Sequence, residues 1–197
     1  MIVPMQRSHA EAVARLHADA LSDDFLPSLG VNFLRVFYEG ALDQRVAFGF
    51  VYLQDQVPRG FVLGCLDMHV LFRHVLISRM FALGLAAIPS ILRHPLLLRK
   101  VAETFLYPSK EDQSPYPAEM VTLGVDATLR GRGIGLALID EFNRAAREQG
   151  VKVYKLTVLQ SNQVANSLYQ RLGYQLSFDF TLYGKKWSLY TYELEKP

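Results

Sequence analysis

The chain is 197 residues long, half of them hydrophobic and 12% aromatic, which suits one domain, with or without a sizeable insertion, around a substantial core. Its 21 Lys and Arg nearly balance 19 Asp and Glu, and a net charge of +2 argues against a general nucleic-acid binder, which shows a concentrated basic surplus. The one cysteine, Cys65, excludes an internal disulfide framework and a cysteine zinc cluster.

Residues 2–5 predict a short edge strand, where Pro4 is tolerated. The opening M-I-V-P-M-Q-R-S-H lacks the charged-then-apolar pattern of a signal peptide. Cys65, inside an apolar run, is expected as a packed core thiol, and a reducing, cytoplasmic setting fits. Ser8 with Glu11 three residues on predicts a capping box. The helix it opens carries Val13, Leu16, His17 and Ala20 along one side and is broken by Ser22, Asp23 and Asp24. Residues 32–41 predict a second helix with a broad apolar face. Two β-rich runs, 45–53 and 59–68, are joined by a turn at 55–58 and predict a hairpin.

Residues 68–117 predict an insertion. Its stretches 70–77, 79–88 and 90–101 are helix-like and very apolar, with Pro89 and Pro95 as breaks. Arg73, His74, Arg79, Arg93, His94, Arg99 and Lys100 are scattered through it. Its longest uncharged run, 80–92, is 13 residues, short of the roughly 20 needed to span a bilayer. Residues 109–117 are polar and proline-containing and predict a loop. The insertion reads as helical packing that covers the domain or forms a homodimer face. An interfacial membrane contact through 68–108 stays open, given apolar faces with interspersed Arg and Lys.

Residues 119–138 read E-M-V-T-L-G-V-D-A-T-L-R-G-R-G-I-G-L-A-L. Val121, Leu123 and Val125 alternate with Met120, Thr122 and Gly124, the period of a strand. Leu138, Phe142, Ala145 and Ala146 then recur at helical spacing, and the helix is expected to stop at Gly150. Between them Gly131, Gly133 and Gly135 punctuate a basic turn. Strand, glycine turn and helix N-terminus together make an anion site, because the first N–H groups of a helix are unpaired and glycine admits a phosphate to the backbone. The dinucleotide fingerprint would need glycine at position 136, which is Leu136, and no G-x-x-x-x-G-K-[ST] run is present. Downstream, 152–159 predicts a strand, 162–172 a helix stopped by Gly173, and 174–183 with 187–194 a hairpin turning at 184–186. Strands alternating with helices in the centre imply a mixed sheet with helices on both faces.

Two motifs in this half resemble the GNAT superfamily, the acyl-CoA-dependent N-acetyltransferases. Arg130, Gly133 and Gly135 match its R-x-x-G-x-G pyrophosphate loop. Asn162, Ala165, Tyr169, Gly173 and Tyr174 match its N-x-x-A-x-x-x-Y-x-x-x-G-[FY] pattern. The resemblance covers 119–194 well, the first 68 residues loosely, and the insertion not at all. It implies one α+β domain over 1–197, three-layered, with a twisted, mostly antiparallel sheet between helices. It also implies acetyl-CoA as co-substrate. The open backbone at Leu123 and Val125 would pair with the pantetheine arm like an added strand, and an N–H near Val125 would polarise the thioester carbonyl. Arg130, Gly131, Arg132, Gly133, Ile134, Gly135 and Leu136 would cradle the pyrophosphate. Asn162 would hold the cofactor arm, and Tyr169 would protonate the departing thiolate.

Direct transfer to an amine needs a base. Glu119 is the candidate, expected by alternation on the same strand face as Val121, Leu123 and Val125. Asp67 and His69 are reserves, and Asp126 is expected as a turn or cap residue. No H-E-x-x-H pair suggests a metal. The implied activity is transfer of acetyl or another short acyl group to the primary amine of a small molecule. The insertion then has a further reading, as a lid or wall of the acceptor pocket. A non-catalytic acyl-CoA-binding module, docking to a partner or membrane through its insertion, is the alternative.

Overall fold

The computed structural model describes residues 1–43, 47–105 and 114–194. One seven-stranded sheet runs through the molecule in the order β1-β2-β3-β4-β5-β7-β6. Its strands are β1 (Ile2–Pro4), β2 (Ala47–Gln54), β3 (Val57–Cys65), β4 (Glu119–Val125), β5 (Val153–Leu159), β6 (Gln175–Leu182) and β7 (Lys185–Glu193). All neighbours are antiparallel except β4 and β5. The helices are α1 (Ala10–Ala20), the single turn α2 (Phe25–Ser28), α3 (Val31–Leu42), α4 (Met68–Arg93), α5 (Leu97–Phe105), α6 (Ile134–Glu148) and α7 (Gln163–Arg171).

Period-two alternation divides the core into two layers. Val51, Phe61 and Leu63 face α1, α3 and α4, burying against Val13, Leu34, Leu71 and Val75. Phe50, Val62 and Met120 face α6 and α7, burying against Leu138, Phe142 and Tyr169. Sheet alternation thus yields the expected three layers.

Several local expectations change. Ser8 lies within a 3-10 turn, Arg7–His9. The chain enters α1 through the His9 ring, whose Nδ1 accepts the Gln6 N–H at 3.1 Å. Met68 opens α4, because the Asp67 carboxylate accepts the Val70 N–H at 3.0 Å and caps the helix there. That cap accounts for one of the two reserve bases; the other, His69, is exposed in the first turn of α4. Pro89 does not end α4. It costs one N–H bond near the C-terminal end, and the packing of Leu71, Val75, Leu83 and Ala87 carries the helix to Arg93. By length and composition α4 could cross a membrane. The C-terminal hairpin turns one residue earlier than expected, at Tyr183 and Gly184, both at positive φ. The expected loop 109–117 is described only from 114, and Arg45 of the first hairpin lies outside the described residues. Cys65 is buried, its thiol 4.0 Å from Met68 Sδ.

Together α4 and α5 form a strap. Phe25, Leu29, Ala87 and Leu97 bury together with Tyr183 packed against them. The Tyr183 N–H donates to the Glu103 carboxylate at 2.9 Å. The insertion therefore runs from the end of β3 across to the tip of the C-terminal hairpin.

Candidate active site

β4 and β5 pair as residues only at Glu119 and Lys155, where the Lys155 N–H donates to the Ala118 carbonyl at 3.0 Å. Beyond that point β4 stays with β3 and β5 stays with β7, so the two strands part towards Val125 and Leu159. The Asp126 N–H donates to Arg59 O at 2.8 Å. Residue 126 therefore faces β3, and by alternation Val125 and Leu123 turn their N–H and C=O groups into the gap. The Leu123 peptide groups and the Val125 N–H on that strand edge can pair with a strand-like ligand, while the Val125 carbonyl already accepts from Arg130.

The far end of β4 carries a bulge. Leu63 sits opposite Thr122 and Gly64 opposite Met120, which leaves Val121 as the extra residue. A bulge resets the alternation. Glu119, Val121 and Thr122 all line a cavity on the α1–α3–α4 side, whereas Leu123 and Val125 pack towards α6. Glu119 thus shares a face with Val121 but not with Leu123 and Val125, contrary to the plain period-two reading.

At the open end of the gap lies the glycine turn. Gly131 and Gly133 adopt φ of 75° and 79°, the left-handed region that costs a side-chain-bearing residue about 1–2 kcal/mol. The first bond of α6 runs from the Ala137 N–H to Gly133 O at 3.0 Å. The N–H groups of Ile134, Gly135 and Leu136 precede that bond, so they project from the helix N-terminus, and no acidic side chain stands in the first turn. Gly131, Arg132 and Gly133 are exposed. The Arg130 side chain does something the motif alone does not reveal. Its Nε donates to Val125 O at 3.1 Å and its Nη2 to Ala20 O at 3.2 Å, which ties the turn to β4 and α1. Asp126 is a cap, accepting from the Thr128 N–H at 2.9 Å and pairing with Arg59 at 2.9 Å.

Across the gap, Asn162 caps α7, its Oδ1 accepting the Ala165 N–H at 3.1 Å. Asn166 holds the helix to β5 and β7 by donating to Leu159 O at 2.9 Å and accepting from the Tyr190 hydroxyl at 3.0 Å. Tyr169 is buried on the α6 side of the sheet among Tyr174 and Tyr190. Burial pushes its phenol up to about 12, so it keeps its proton throughout the neutral range and can donate it.

The cavity behind Glu119 encloses about 180 Å³. Its walls are mostly apolar: Phe25, Phe33, Phe37, Leu71, Phe72, Val75, Leu76 and Leu83, closed by Tyr183 and Trp187 of the hairpin. Its polar groups are few. His17 is buried, bonded to the Tyr38 hydroxyl at 2.8 Å, and desolvation lowers it to about 4. Glu119 is buried with Oε2 4.0 Å from Lys155 Nζ. Asp24 is raised to about 6 by desolvation, which outweighs the opposing pull of Lys185.

Residues 97–174 match the model of the Acetyltransferase (GNAT) family. That stretch, which holds the glycine turn and the Asn162–Tyr174 motif, is similar to the GNAT family. A curated relative, an uncharacterized N-acetyltransferase MJ1207 of Methanocaldococcus jannaschii, is 40% identical over 58 residues, 29% of this chain and 26% of the relative. The matched stretch is thus about a quarter of that relative's length. Among solved structures, the ribosomal-protein-S18-alanine N-acetyltransferase of Escherichia coli superposes with a TM-score of 0.63 at 13% identity, covering all of this chain and 95% of that one. Arabidopsis thaliana NAA60 in complex with acetyl-CoA superposes at 0.58 and 18% identity, covering 98% and 97%. At these identities the likeness is one of fold, and it extends over the whole chain, including the half in which the GNAT motifs are weak.

Two residues of this site are not singled out by the sequence patterns. Asp24 was read with Asp23 as a helix break, since nothing local says which side of a turn a carboxylate takes. Lys155 left a signal: with Val153, Thr157 and Leu159 it alternates along one face of β5, and a lysine there asks for a buried partner.

Proposed function

We propose that this chain is a GNAT acyltransferase that transfers an acetyl or other short acyl group from acyl-CoA directly to the primary amine of a small acceptor with an apolar body. The observation that carries the proposal is the gap between β4 and β5, open at the Leu123 backbone and the Val125 N–H and ending on the N–H groups at the start of α6 in the Arg130–Leu136 turn. The first feature suits an extended amide-bearing arm and the second a pyrophosphate. Their order along one groove suits coenzyme A.

The chemistry follows from the residues. The amine nitrogen bonds to the thioester carbon, the carbon–sulfur bond breaks, and sulfur leaves with the electron pair. An N–H near Val125 polarises the carbonyl oxygen as charge builds there. Tyr169, protonated at neutral pH, supplies the proton the thiolate takes. Glu119 lies beside the bulge at the inner end of the gap and accepts the proton the amine must lose. The apolar cavity beyond it admits the acceptor's body, and Asp24 on its wall pairs with acceptor charge. The small apolar acceptor is favoured by the enclosure of that cavity under the strap, since an extended polypeptide needs an open groove.

The test is thiol release from acetyl-CoA with a panel of amines, small aromatic and aliphatic ones against peptides with free N-termini. We expect turnover with the small apolar amines, and a loss on the order of a hundredfold or more in kcat/KM for Glu119→Gln. CoA binding with no thiol release from any amine would leave only a non-catalytic acyl-CoA-binding module. Turnover confined to peptides would overturn the acceptor assignment.

A further inference from the structure

α4 is apolar on both sides. One side buries Leu71, Val75, Leu83 and Ala87, and the other stands in solvent. Ile77, Phe81, Leu85 and Leu92 are exposed to 74%, 87%, 72% and 77%, and Met80 and Ile88 lie between them. Their spacing of four, four and seven places them on one helical stripe about 22 Å long. Leu96, just before α5, and Leu98 in its first turn add apolar surface at 84% and 56% exposure. A contiguous apolar patch of this length is uncommon on a monomeric soluble surface and marks an interaction site.

Charge identifies the partner. Residues 68–105 hold five of the chain's 21 Lys and Arg and one of its 19 Asp and Glu, Glu103, which pairs with Arg99 at 3.4 Å, so this segment is +4 and the rest of the chain −2. Arg73 is exposed at one end of the stripe, with Arg93, His94 and Arg99 exposed at the other. Apolar side chains in the middle and cations at the ends match an anionic bilayer surface, where acyl chains meet headgroup phosphates. A second copy would fit poorly, because a two-fold interface across this face would set cation against cation. The helix does not cross the bilayer in this arrangement. Its inner side closes the cavity, and lifting it away would expose the core it covers.

We propose that the outer face of α4 and α5 docks on an anionic phospholipid surface, with Phe81 and Leu85 entering the acyl region. The inference stands apart from the transfer chemistry. The experiment is co-sedimentation of the full chain with vesicles of phosphatidylglycerol and phosphatidylcholine, and with phosphatidylcholine alone. The wild type should partition at least tenfold more onto the anionic vesicles. The Phe81→Asp/Leu85→Asp pair should lose that binding at least tenfold while melting and coenzyme A affinity stay as in the wild type. Phe81→Trp, which keeps the surface apolar, should show a blue-shifted emission with anionic vesicles. Absence of wild-type binding, undiminished binding by the aspartate pair, or a Phe81→Trp emission that vesicles do not move would overturn the proposal. A wild-type dimer that the aspartate pair splits, without vesicle binding, would assign the face to a second copy instead.

Discussion

Gly133 offers the cleanest perturbation of the anion site, because its surroundings separate backbone cost from ligand cost. It sits at φ 79° and ψ −1° as the residue before α6, and a β-carbon there would meet no atom within 4 Å. Gly133→Ala should therefore cost only the left-handed conformation, about 1–2 kcal/mol. For a chain this size that lowers Tm by roughly 2–8 °C. Gly133→Gln and Gly133→Glu carry the same backbone cost and nearly the same bulk. They differ by one charge facing the turn. A carboxylate about 6 Å from a phosphate at an effective dielectric near 20 is opposed by ~3 kcal/mol before screening. The exposure of the turn brings this to about 1.4 kcal/mol, a tenfold difference in Kd. Titration calorimetry with coenzyme A should find Gly133→Glu at least tenfold weaker than Gly133→Gln in low salt, with the difference shrinking at 0.5 M salt, about one Debye length of 4 Å. Equal affinities for the Glu and Gln variants would mean that the pyrophosphate does not lie on this turn.

Tyr169→Phe should lower kcat by about tenfold to a hundredfold and leave the Kd for coenzyme A unchanged; equal losses in both, by steady-state kinetics and calorimetry, would make the ring a packing element only. Burial raises the Asp24 carboxyl to about 6, so the folded state holds that proton more tightly than the unfolded chain. Its stabilising contribution is complete below about pH 4 and is lost as pH rises through about 6. Asp24→Asn stays neutral, and it should exceed the wild type at pH 7 by on the order of 2 kcal/mol, with the advantage gone at pH 4. Thermal melts at both values check this, and a pH-independent gain would contradict it. Gly64→Ala should destabilise by about 1–3 kcal/mol, since its β-carbon would lie 2.2 Å from Phe142 Cε2 and 2.8 Å from Glu119 O. Gly84→Ala, with nothing within 4 Å on the open side of α4, should stabilise by up to about 1 kcal/mol; urea midpoints that fail to move in opposite directions would refute the packing argument.

Much of the fold could be read from periodicity. The strand, glycine turn and helix at 119–148 and the capped helix at 162–172 are local structures set by their own residues, and their boundaries in the structure differ little from expectation. What lay hidden depends on contacts distant in sequence. The bulge at Val121 arises from the pairing of β4 with β3, where Gly64 lets Phe142 approach closely. No alternation rule within β4 alone reveals it, and Glu119 therefore sits on a different face from the one that plain alternation predicts. The passage of α4 through Pro89 likewise depends on tertiary burial along the helix's inner side, which outweighs the loss of one hydrogen bond. Arg130 shows a third kind of limit. The motif named the residue, while the two carbonyls it braces, of Val125 and Ala20, meet only in the folded chain.

The single ladder step between β4 and β5 has a mechanical consequence. Four strands lie on one side of it and three on the other. Along most of their length the two half-sheets are joined by the α6 layer and by side chains, not by a backbone ladder. Such a molecule can breathe as two panels about one edge. A ligand that hydrogen-bonds in the gap would serve as a splint, and its release would return the panels to independent motion. Amide exchange should register this as a difference between halves, with β5, β6 and β7 slowing together when the groove is filled.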